Sequence, residues 1–186
     1  MITSDYTPTT TELLEHSFYL RTGIHLEPGQ LKLNETFAQA KQAAAMAQDI
    51  RELQGAAVET LADVAVMELN KDRIRSETRV EIPEEISEAY DEVRQSYDEL
   101  RQLAKDSMEI SNSAGEEFIQ GELARLGYSD EQIQRQDFAS LLEQVQQKSK
   151  VCSQVIENAQ ALHDAYKPYL NASNPQIETA IPRLRA

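Results

Sequence analysis

Tryptophan is absent from these 186 residues, cysteine occurs once, glycine and proline six times each, and aromatic residues make up 6%. Strands draw on aromatic and β-branched residues and are bounded by frequent turn signals, so this composition disfavours a sheet and favours an all-α chain. The lone cysteine, Cys152, excludes an internal disulfide. No apolar run approaches the roughly 18 residues that a membrane-spanning helix needs, and the first twenty residues lack the basic start and apolar centre of a secretory signal. The expectation is a cytoplasmic protein without membrane insertion. Asn34-Glu35-Thr36 and Asn171-Ala172-Ser173 fit the glycosylation acceptor pattern, but without a secretion signal such short matches carry no weight. Positive charge is also scarce: 18 basic against 32 acidic side chains leave a net charge of −14. That field opposes a nonspecific grip on nucleic acid or an anionic membrane, and it favours a basic protein partner.

What the chain does have is apolar residues on four-three spacing. One seam runs from Ile86 through Tyr90, Val93, Tyr97 and Leu100 to Ala104. A second runs from Phe138 through Leu141, Val145, Lys148, Cys152, Val155, Ala159 and Leu162 to Tyr166, flanked by Leu142, Val151 and Ile156. Such spacing puts an apolar stripe on a long helix and requires other helices to cover it. A third long helix is predicted from about Glu35 to the upper 70s, with an alanine-rich inner face through Phe37, Ala40, Ala44, Ala47, Ile50, Leu53, Ala57, Leu61 and Val64. Its charged end, Asn70 to Glu81, is expected to fray before Pro83, which opens the next helix. Ser111 to Gly115 is a weak stretch where that helix could kink or break, Ser129 with Gln132 forms a capping box for the last long helix, and Pro168 should kink or end it near Lys167.

The predicted architecture is an elongated antiparallel three-helix bundle, coiled-coil-like, with a short additional N-terminal helix. Residues 1–33 form an N-terminal tail, a short helix (Thr11 to Thr22, with Leu13, Leu14, Phe18 and Leu20 on one side, stopped at Gly23) and a connector. Residues 34–171 form the bundle, beginning at an Asn34 cap, and residues 172–186 a flexible tail. Ile177, Ile181 and Leu184 beside Arg183 and Arg185 give that tail the pattern of a docking peptide.

Residues carrying recognisable chemistry are dispersed. His16, His25 and His163 do not pair with cysteine or carboxylates at zinc spacing, and there is no glycine-rich phosphate loop and no nucleophile elbow. Cys152 falls on a seam, as a small buried hydrophobe, and the seam tyrosines Tyr90, Tyr97, Tyr166 and Tyr169 read as packing residues. The sequence therefore assigns no catalytic residue, no cofactor and no metal. The charge is concentrated: residues 83–128 hold twelve acids against four bases, a net −8. In the register of Ile86, the acids Glu84, Glu85, Glu88, Asp91, Glu92, Asp98 and Glu99 fall away from the seam and form an acidic outer face. Three classes of function follow. The leading expectation is a scaffold, adaptor or assembly subunit, in a homo-oligomer or a hetero-complex, binding protein partners through its seams or acidic face. The second is an acidic inhibitor or nucleic-acid mimic that blocks a basic partner. The third is an enzyme whose site assembles from dispersed residues.

Overall fold

A computed structural model describes residues 6–128 and 132–172. They contain six helices and no strand: α1 Thr10–Thr22, α2 Glu35–Leu69, α3 Lys71–Thr78, α4 Glu84–Arg125, α5 Phe138–Cys152 and α6 Val155–Ala172. The all-α class is as expected. The tail after Ala172 and the Ser129 cap lie outside the described residues, as does Ser173 of the second glycosylation pattern.

The start and stop signals act locally. Thr9 and Glu12 form a reciprocal capping box at the head of α1, and Gly23 closes it with a left-handed φ of 73°. The Asn34 side chain accepts from the Phe37 amide at 3.0 Å and opens α2. At 35 and 42 residues, α2 and α4 extend for about 52 and 63 Å. The Ser107 hydroxyl donates to the Ala43 carbonyl and Ser111 to that of Ala40, while further along Ser87 meets Glu68. Higher numbers on α4 meet lower ones on α2, so the two helices run antiparallel. The pairs Glu99 with Cys152 and Asp63 with His163 make the third leg, α5 followed by α6, antiparallel to α4 and parallel to α2. The core lies between the three legs, from Ile50 to Met67 on α2, Val93 to Ala104 on α4 and Val145 to Tyr166 on α5 and α6.

Three expectations are corrected, and a point the sequence left open is settled: α4 is unbroken through Ser111 to Gly115, where Ala114 is fully buried and the Ser111 hydroxyl bonds across to the Ala40 carbonyl of α2. These small residues let the two backbones approach closely, which compensates for their weak helix propensity. The Asn70–Glu81 stretch does not simply fray. Asn70 bonds back to the Val66 carbonyl at 2.7 Å, and the chain re-forms as α3, which buries Ile74. The last leg does not begin near Ser129, since residues 132–137 are not helical. Asp137 caps the Ser140 amide at 3.1 Å, and Phe138 is the first buried residue. Nor does Pro168 end α6, which continues to Ala172. The bond lost there is to the carbonyl of the exposed Asp164, where water can replace it, while Tyr166 and Tyr169 hold the turn against the core.

The second seam, on the last leg, also differs in register. Leu142 is buried where Leu141 was expected, and Lys148 and Val151 are exposed, so the seam carries no charge. Phe138, Leu142, Val145 and Cys152 face inward on α5, and Val155, Ala159, Leu162 and Tyr166 on α6. Half-buried Ser149, Cys152 and Val155 are separated by two successive steps of three, a local over-winding of a heptad pattern. The turn at Ser153 and Gln154 absorbs it. On α1, Phe18 alone is buried, whereas Leu13 and Leu20 are exposed.

Candidate interaction surface

The inward face of α4 determines its outward one. Val93, Leu100 and Ala104 are buried, and Ile86, Tyr90 and Tyr97 pack against the same core. Glu84, Glu85, Glu88, Asp91, Glu92, Asp98 and Glu99 are accordingly all exposed. They do not form one uniform face. Glu84 borders a cleft at the α3 end together with Lys71 and Arg75, where charges of both signs mix. Glu85, Glu92 and Glu99, seven residues apart, edge a groove between α4 and the third leg, and Asp106 continues the column.

This groove consists of two adjoining hollows. The first, about 470 Å³, has Ile86, Ala89 and Glu92 on one wall and Asn158, Ala161 and Ala165 on the other. Ala161 and Ala165 are exposed and leave that wall low. The second, about 420 Å³, lies between Glu99, Leu103 and Asp106 on α4 and Lys148, Val151 and Cys152 on α5. Val151 is 81% exposed there, an apolar side chain without cover. The groove thus combines an apolar lining with a rim of four carboxylates opposed by Lys148.

Cys152 is buried at the floor of the second hollow, with its Sγ 3.4 Å from Glu99 Oε2. Burial pushes the thiol pKa up, and the hydrogen bond to Glu99 and the charge of that carboxylate add to it. The nucleophilic thiolate is therefore disfavoured. The residue packs, as its place in the sequence implied.

Beneath the surface lie polar clusters that periodicity did not reveal. Glu68 accepts from Tyr166 Oη at 2.6 Å, Ser87 Oγ at 3.1 Å and Lys71 Nζ at 3.0 Å, joining α2, α3, α4 and α6. Burial pushes its carboxyl up, but the bonds from Tyr166, Lys71 and Ser87 outweigh that and hold it below the ordinary range. Tyr166, fully buried, is pushed well above the usual tyrosine range by burial and by Glu68. Asp63, also buried, faces His163 Nε2 at 3.2 Å. His163 thus makes a polar contact between α2 and α6 and is more than a packing residue. At the other end, Glu122 receives the Lys32 amide at 3.0 Å and the Arg125 guanidinium at 2.7 Å, which ties the 24–33 connector to α4. The signal in the sequence was Asp63 and Glu68 standing inside the apolar run Leu61 to Leu69, where a charge must find partners. These carboxylates are engaged by donors within the bundle, so they hold register between helices.

A smaller cleft of about 260 Å³ lies under α1, between Leu14, Phe18, Leu31, Phe37 and Phe118, with Lys41 and Arg21 at its edge. Arg21 is ion-paired with Glu116, and Lys41 lies 5.9 Å from the centroid of the Phe37 ring.

Comparison of the chain with known protein families, with curated proteins and with solved structures finds no match. Among the described residues, no group of three or more His, Cys, Asp or Glu side chains could hold a metal ion, and no helix is long and apolar enough to cross a membrane.

Proposed function

We infer that this chain is a non-catalytic protein-interaction module, a scaffold or adaptor, whose docking surface is the acidic side of α4 and whose partner presents a basic, amphipathic segment. The observation that carries this reading is the groove edged by Glu85, Glu92, Glu99 and Asp106, with uncovered Val151 in its wall. The apolar seams cover one another inside the bundle, so they are not available to partners, and this side of α4 is where apolar surface and concentrated charge meet. Complementary charge steers such a partner and sets its register, while apolar contact supplies affinity. A nucleic-acid mimic is the less favoured alternative. Carboxylates repeating every seven residues stand about 10.5 Å apart along a helix, far sparser than the roughly one charge per 1.7 Å of duplex DNA.

The test is capture of partners on the immobilised full chain with elution in a salt gradient, repeated with Glu85→Gln/Glu92→Gln/Glu99→Gln. A partner docked on this groove elutes at moderate salt and is lost by the variant. Equal retention by both proteins would remove the acidic side of α4 from the function.

A further inference from the structure

We propose that the cleft under α1 is a binding site for a single-chain aliphatic carboxylate, with its tail among the phenylalanine rings and its carboxylate at Lys41. The site is separate from the groove beside α4 and does not depend on the interaction reading above.

Three helices wall this cleft: α1 through Leu14 and Phe18, α2 through Phe37 and Ala44, and α4 through Gly115 and Phe118. Ala43 and Ala114 are fully buried where α2 meets α4, but their neighbours Ala44 and Gly115 are only half-buried. A Cβ on Gly115 would meet nothing within 4 Å. The helices are therefore in close contact on one flank of this crossing and leave open space on the other, beneath α1. The rings of Phe37 and Phe118, with centroids 5.3 Å apart, give that space an aromatic wall.

Its size selects a small occupant. The cleft measures about 260 Å³. An apolar cavity of about 150 Å³ takes up benzene, and by that scale this one accommodates about ten carbon atoms.

Its charge selects the head group. Both charged residues that line the cleft, Arg21 and Lys41, are cations, on a chain with 32 acidic and only 18 basic side chains. The hollows beside α4 are edged by carboxylates instead. Arg21 is engaged by Glu116. Lys41 is exposed, with its ammonium 5.9 Å from the centroid of the Phe37 ring, and among the described residues no carboxylate is ion-paired with it. A carboxylate at the edge of the cleft supplies that counter-charge while its tail leaves water. An apolar lining with one placed charge is how small-ligand sites combine affinity with orientation. A cationic ligand would meet two like charges, and a neutral hydrocarbon would have nothing to orient it.

The experiment follows backbone amides of the isotope-labelled full chain during titration with butyrate, hexanoate, octanoate, decanoate and tetradecanoate below micelle-forming concentrations, with decanol as the neutral analogue. The expected result is saturable shifts at Phe37, Ala44 and Gly115 and none at Ala89 or Ala161. Affinity should rise by up to about fourfold per added methylene as far as decanoate, then level off once the tail outgrows the cleft. Lys41→Gln, a change at an exposed side chain, should weaken decanoate several-fold and leave decanol unchanged. Gly115→Leu fills the cleft and should lower decanoate affinity at least tenfold, with helix content retained because leucine favours a helix more than glycine does. Shifts that do not saturate, or that extend equally to Ala89 and Ala161, overturn the proposal. So does a length series that climbs without a break to tetradecanoate, or decanoate binding that Lys41→Gln leaves intact. Undiminished binding to a folded Gly115→Leu chain overturns it as well. Should that variant not fold, the length series and Lys41→Gln decide.

Discussion

Replacing Tyr166 by phenylalanine removes one oxygen from a fully buried ring and changes nothing else in its packing. That oxygen donates to Glu68 Oε2 at 2.6 Å, the shortest of the three bonds to this carboxylate. A hydrogen bond to a charged partner contributes about 1.5–3 kcal/mol. The Glu68 side chain keeps 17% of its exposure and retains Lys71 and Ser87, so the lower part of that range applies, about 1.5–2 kcal/mol. At 2–4 °C per kcal/mol for a chain of this size, the melting temperature should fall by about 3–8 °C at pH 7.

The pH dependence gives the sharper test. Glu68 titrates below its ordinary value in the folded chain, so its contribution is present above the usual carboxylate range near 4.3 and is lost as pH falls through the folded value. Tyr166 titrates above its ordinary value. Its contribution is present below about pH 10 and declines as pH rises beyond that, because the unfolded chain then ionises first. The gap between wild type and Tyr166→Phe should therefore be widest between roughly pH 5 and 9 and should narrow on both sides. Denaturant titrations from pH 3 to 10 measure it directly. No gap at pH 7, or a gap that persists unchanged at pH 3, would refute the role given to this bond.

Two further predictions concern the packing. Ser107→Ala should cost about 1 kcal/mol, since the Ala43 carbonyl keeps its bond within the helix, whereas Ser107→Leu forces a larger side chain between α4 and a fully buried Ala43 and should cost about 1–3 kcal/mol or more. Equal denaturant midpoints for the two variants would show that the helices are not in close contact there. Cys152 should react with a disulfide exchange reagent far more slowly in the native chain than in denaturant, because it is buried and its pKa is raised. Rapid labelling of the native chain would reopen a nucleophilic role.

The contrast between α4 and the last leg shows how far the sequence could be read. On α4 a single four-three rhythm runs from Ile86 to Ala104 without interruption, so its inner residues and its seven exposed acids were both legible. On α5 and α6 the rhythm contains the extra step of three at Cys152 to Val155. Continuing the regular spacing backwards across it turned Leu141 and Lys148 inward, when Leu142 and Ser149 take those places. Periodicity is blind to such a slip, because both registers are apolar over short stretches. The stretch Ser111 to Gly115 was ambiguous for a related reason. Polar residues with weak helix propensity look like a break until a neighbouring carbonyl is there to receive them.

Composition and spacing alone determined the all-helical class, the long α2 and α4, the caps at Gly23 and Asn34, and the exposure of the acidic residues, since each follows from interactions within a turn or two of one helix. Which helix covers which stripe depended on the tertiary structure, as did the partners of Asp63, Glu68 and Glu122 and the division of the acids between a free surface and the rim of a groove. Those features depend on residues about 20 to 100 positions apart in the chain, such as Ser87 with Glu68 and Tyr166 with Glu68. No periodicity within a helix encodes the neighbour that a side chain meets once the legs have packed.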